Sequence, residues 1–73
     1  MSNFKRIRET LDRGEQVFMK DDFLEVAIRL TGGDTSFLKH KGHEEREISH
    51  TYEVFLDVEM GGEFITEQEY LDY

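Results

Sequence analysis

The chain contains no cysteine and no proline. The first absence excludes a disulfide framework, thiolate metal sites and a cysteine nucleophile. The second leaves turns to the six glycines. No apolar run reaches the length of a membrane helix, and no apolar signal core opens the chain. A secreted, integral-membrane or multidomain protein is therefore not expected. The cysteine-free composition fits a reducing, cytoplasmic setting.

A further scarcity is local. All nine Lys and Arg lie within residues 1–46, which also hold nine Asp and Glu. Residues 47–73 hold eight acids and no Lys or Arg, so the whole net charge of −8 belongs to that stretch. The common reading of such an excess is solubility. The sharper one is a negative surface that meets a basic partner.

What is present suits one small domain of 73 residues, with nine aromatics (six Phe, three Tyr) to build a core. Phe4, Ile7 and Leu11 make one apolar stripe and predict a helix from about Asn3 to Arg13. Ser2 or Asn3 caps its start, and Gly14 ends it in the left-handed conformation. Val17-Phe18-Met19 reads as a short strand. Phe23 to Thr31 alternates, with Leu24, Val26, Ile28 and Leu30 on one side. Phe37-Leu38 is a short strand or an anchor, and Lys39 to Glu47 is a mixed-charge loop tip. Ile48 to Met60 alternates for thirteen residues, about 44 Å of strand at about 3.4 Å each, and so calls for a bend or bulge. Glu63-Phe64-Ile65 follows the Gly61-Gly62 turn. Thr66 and Glu69 have capping-box spacing and favour a short terminal helix over a last edge strand. The expected fold is α+β: an N-terminal helix on a three- to four-stranded antiparallel sheet, with a short C-terminal helix.

Chemistry is thinly signalled. His40, His43 and His50 lie near Glu44, Glu45 and Glu47, but His43-Glu44-Glu45-Arg46-Glu47 lacks the second histidine of the helical zinc-protease motif. On its strand, His50 reads as a hydrogen-bonded or rim residue. Ser2, Ser36 and Ser49 sit in no nucleophile-elbow context. The glycine pairs are turns, with no phosphate-cradling pattern after them. No catalytic residue, metal or cofactor is expected; an acidic domain is a poor direct binder of nucleic acid, and no membrane partner is expected.

The specific expectation concerns the strand read over 48–60. Glu53, Phe55, Asp57 and Glu59 would share its outer face, with carboxylates spaced by roughly 6.8 Å. Extended by Glu63, Glu67 and Glu69, that row would imitate a run of phosphates, with Phe55 as apolar anchor. A non-enzymatic module is expected, blocking a basic, nucleic-acid-binding surface of another protein. This is the working style of small phage-encoded inhibitors of host defence nucleases, although no family motif accompanies it. The alternative is a homodimeric structural or assembly protein, with Phe23, Ala27 and Phe55 as contacts on the outer sheet face.

Overall fold

A computed structural model describes residues 3–73. It is α+β, with five antiparallel strands rather than three or four. The order along the chain is α1 (Asn3–Asp12), β1 (Val17–Asp21), β2 (Val26–Leu30), β3 (Thr35–His40), β4 (Arg46–Ser49), α2 (Glu53–Gly61), β5 (Glu63–Phe64) and α3 (Glu67–Asp72). Strands β1 to β4 form a meander, and β5 returns beside β1, giving the order β4-β3-β2-β1-β5.

Register fixes what each face carries. Val17 lies opposite Leu30, Met19 opposite Ile28, and Ile28 opposite Leu38. Because side chains alternate along a strand, these residues share one face. Helices α1 and α2 cover it, and Ile7, Phe55 and Val58 complete the core with Leu11, Ile48, Val54 and Phe64 at its margin. The other face carries Phe18, Lys20, Ala27, Arg29, Phe37 and Lys39, and α3 lies across part of it. The alternation predicts a core of Phe4, Ile7 and Leu11 against Leu24, Val26, Ile28, Val54, Leu56 and Val58; it is right at Ile7, Val26, Ile28 and Val58, whereas Phe4, Leu24 and Leu56 are exposed.

Helix α1 ends where expected: Gly14 is left-handed at φ 79°. The Ser2 cap lies outside the described residues. Asn3 does not cap, and its side-chain amide donates to the Gly62 carbonyl at 3.1 Å. The predicted strand over 23–31 begins only at Val26, because the Asp21 carboxylate accepts from the Phe23 and Leu24 amides and holds a turn there.

The main correction falls on residues 48–60. Only Arg46–Ser49 is strand; the chain turns at His50 to Tyr52 and continues as α2. Both periods fit this segment, since Val54, Phe55, Val58 and Glu59 also form a helical stripe, and that stripe is the side turned inward. Gly62 ends the helix, its amide donating to the Val58 carbonyl at 2.7 Å. A Cβ at Gly62 would meet the Lys20 carbonyl oxygen at 2.5 Å, so the approach of α2 to β1 requires glycine there.

The C-terminus is strand then helix. Thr66 accepts from the Glu69 amide while the Glu69 carboxylate accepts from the Thr66 amide, a complete capping box. The 41–45 tip is anchored: the Gly42 amide donates to the Tyr73 carbonyl at 2.8 Å, and Glu45 receives bonds from Arg29 and Tyr70.

Candidate functional site

The seven residues expected in one acidic row are not brought together. On α2, Glu53 and Asp57 face solvent, with Leu56 (51% exposed) and Met60 (62% exposed) beside them. These four follow the i, i+3, i+4, i+7 spacing of one helix face. Phe55 points the other way and is fully buried, so it anchors the core and not a partner. Glu59 is also turned inward. Glu63 lies on β5 and pairs with Lys20 at 3.3 Å, an ammonium that also binds Asp22 at 3.2 Å. Glu67 and Glu69 lie on α3, across the sheet from α2, and Glu69 is engaged in its cap. The row with strand spacing does not exist, because a helix turns alternate residues onto different sides.

The homodimer contacts fare similarly. Ala27 and Phe55 are buried within the protomer. Only Phe23, on the β1–β2 turn and 93% exposed, is available for contact.

Two polar clusters bracket the sheet, and neither shows in local sequence. Under α2, the Ser36 hydroxyl lies 2.7 Å from His50 Nδ1, and His50 Nε2 lies 2.9 Å from the Glu59 carboxylate. The imidazole also stacks on Phe55, centroids 5.3 Å apart. Burial pushes the Glu59 carboxyl above its ordinary value, and His50 pulls it partly back. The residue types are those of a hydrolase triad, and their placement decides against that use. Ser36 is sealed in the interior with 1% exposure, so its oxygen cannot reach an external carbonyl. The cluster ties β3, the turn after β4, and α2 together. His50 is thus the hydrogen-bonded rim residue expected, on a turn in place of a strand.

On the opposite face, the Arg29 guanidinium forks onto Glu45 at 2.8 and 3.0 Å and lies over the Phe37 ring at 3.8 Å. The Tyr70 hydroxyl donates to the same carboxylate at 2.6 Å. Glu45 is accordingly held below the usual carboxylate value, by Arg29 first and Tyr70 second. Burial and that carboxylate push the Tyr70 phenol well up. Lys39 Nζ donates to the Tyr70 and Leu71 carbonyls at 3.2 and 2.6 Å, satisfying the end of α3.

Among the described residues no group of three or more His, Cys, Asp or Glu is placed to hold a metal ion, and no helix is long and apolar enough to cross a membrane. No protein-family model, curated protein or solved structure matches the chain. Function therefore has to be argued from the surface. The sequence signal missed there was Leu56 and Met60, which join Glu53 and Asp57 once the segment is read with helical period.

Proposed function

We propose that this protein is a non-enzymatic, cytoplasmic binding module whose acidic surface occupies a basic surface of a partner protein, with the outer face of α2 as the main contact. One observation carries the reading. Among the described residues, no cation of the chain pairs with Glu53, Asp57 or Glu67, while Arg13, Lys20 and Arg29 are all engaged by other acids. The excess negative charge thus faces outward, ready to be matched from outside. On α2 the two carboxylates flank Leu56 and Met60, which supply the apolar centre that a protein interface needs beyond charge. A basic groove that otherwise holds nucleic acid is a natural target, through field and apolar contact and not through phosphate-like spacing.

The test is affinity capture from a lysate with wild-type protein and with the Glu53→Gln/Asp57→Asn/Leu56→Ser variant. These side chains are exposed, so the fold should change by less than about 0.5 kcal/mol. A basic protein retained by wild type alone, released by salt, and blocked from nucleic acid while bound supports the reading. Equal retention by the variant, or simultaneous binding of nucleic acid, overturns it.

A further inference from the structure

A groove of about 430 Å³ runs between α1 on one side and His50 and Glu59 on the other. That volume is at the small end for ligand sites and suits one side chain better than a large cofactor. Its apolar lining is Phe4 and Leu11 with the buried Ile7. Glu59 is only 6% exposed. Its Oε2 is held by His50 Nε2 at 2.9 Å. Its Oε1 has no hydrogen-bond or ion-pair partner among the described residues, and no partnerless side-chain oxygen among them is sealed from solvent, so this atom opens onto the groove. Arg8 borders the same groove and does not pair with it.

A carboxylate withdrawn this far from water gains from a cation that replaces its lost solvation. Burial raises the Glu59 carboxyl above its ordinary value, which reflects the same incomplete compensation. Apolar walls and one available oxygen match a lysine side chain, whose four-carbon stem covers the walls and whose ammonium is a compact point charge. A guanidinium fits less well, because its fork calls for two oxygens and His50 holds the second. On the rim, Arg8 and Asp12 stand one turn apart on α1 and offset each other, so the net charge of −8 sets the attraction for a cation. Leu56 lies one turn before Glu59 on α2, and Met60 directly after it, which places the groove beside the face assigned to partner contact.

We propose that this groove receives a lysine side chain of the partner protein, its ammonium on Glu59 Oε1 and its stem against Phe4, Ile7 and Leu11. The inference rests on the reading of the protein as a binder of basic surfaces, and it names the residue that such a surface inserts beside Leu56 and Met60.

The experiment titrates the isotope-labelled full chain with Nα-acetyl-lysine amide, observed by NMR. Beside it run Nα-acetyl-norleucine amide, which has the stem without the ammonium, and Nα-acetyl-arginine amide. Saturable amide shifts are expected at Ile7, Leu11, His50 and Glu59, and the Glu59 carboxyl carbon should move with the same affinity. The norleucine probe should bind more weakly by about tenfold, because the charge-assisted bond is lost, and the arginine probe should fall between the two. Glu59→Gln should abolish the response, whereas Glu44→Gln, an equal charge change on the β3–β4 turn, should leave it intact. Absence of saturable shifts, a stationary carboxyl carbon, equal binding of the norleucine or arginine probe, or an unaffected Glu59→Gln variant would each overturn the proposal. The carboxyl signal is read on the wild-type chain, so the test stands even if Glu59→Gln does not fold. Partner capture through Glu53, Asp57 and Leu56 is measured without these probes, so the two readings fail separately.

Discussion

On the face covered by α1 and α2, Val17, Met19, Ile28 and Leu30 meet Ile7, Phe55 and Val58 with one polar cluster at the margin. The face under α3 carries Phe18, Lys20, Arg29, Phe37 and Lys39, and it is closed by a helix of six residues. The first face is held by apolar burial, which has little directional demand. The second depends on geometry: a forked guanidinium lying over the Phe37 ring, a tilted Phe18–Tyr70 ring pair and a lysine on carbonyl oxygens. A helix as short as α3 is unstable alone, so Tyr70 and Lys39 must hold it. Stability therefore resides mainly in the first face, while the second rests on directional polar contacts.

Substitutions of similar size on the two faces should expose this difference. Phe55→Ala should cost about 3–5 kcal/mol, most of the roughly 5–10 kcal/mol available to a domain of this length. Phe18→Ala, at a half-buried position, should cost about 1–2 kcal/mol. Urea unfolding measures both. Equal costs would mean that the α3 face is as much a core as the other.

His50→Ala tests the polar margin of the first face. It leaves Glu59 buried without its imidazole and Ser36 without its hydrogen-bond partner, and should cost about 1–3 kcal/mol. A loss below about 0.5 kcal/mol would show that water replaces the imidazole at no penalty.

How much of this was legible follows from the range of each signal. The α1 helix, the Val17–Met19 strand, the Gly14 stop and the Thr66–Glu69 capping box are local, and each is found, although of the α1 stripe only Ile7 and Leu11 turn inward. Residues 48–60 failed because an alternating pattern and a helical one coexist there. The turn at 50–52 is set by contacts distant in sequence, among them the His50 amide donating to the Asp34 carbonyl at 3.1 Å. Period alone could not decide. The error moved Phe55 and Glu59 from surface to interior and hid Leu56 and Met60 as surface residues. The Ser36–His50–Glu59 and Arg29–Glu45–Tyr70 clusters join residues 9 to 41 positions apart. Strand register together with the docking of α2 and α3 brings them together, and no spacing rule announces it.

On the α3 face, Tyr70→Phe removes the hydroxyl bond to Glu45 and keeps the ring on Phe18. A loss of about 1 kcal/mol is expected from thermal or urea unfolding, because the carboxylate keeps its Arg29 fork. No change would mean that ring stacking alone docks α3.

The finest comparison is between Glu59 and Glu45, two glutamates with the same ordinary value of 4.5 that the two faces shift oppositely. Burial raises Glu59, so the fold favours its protonated form. That contribution is complete below the unfolded value and is lost as pH rises through the folded one. Arg29 lowers Glu45, so its contribution is present above the unfolded value and is lost as pH falls through the folded one; Glu69, lowered by its capping box, acts in the same direction. Stability should therefore decline on both sides of the ordinary carboxylate value, for different reasons. Glu59→Gln keeps a hydrogen-bonding side chain beside His50 and should flatten the decline on the alkaline side alone. Glu45→Gln should lower stability above the ordinary value and flatten the acid side alone. Urea midpoints from about pH 3 to about pH 8 resolve both effects as changes of slope. If both variants altered the same side, the two carboxylates would share one environment, and the division of the sheet into an apolar face and a polar one would be wrong.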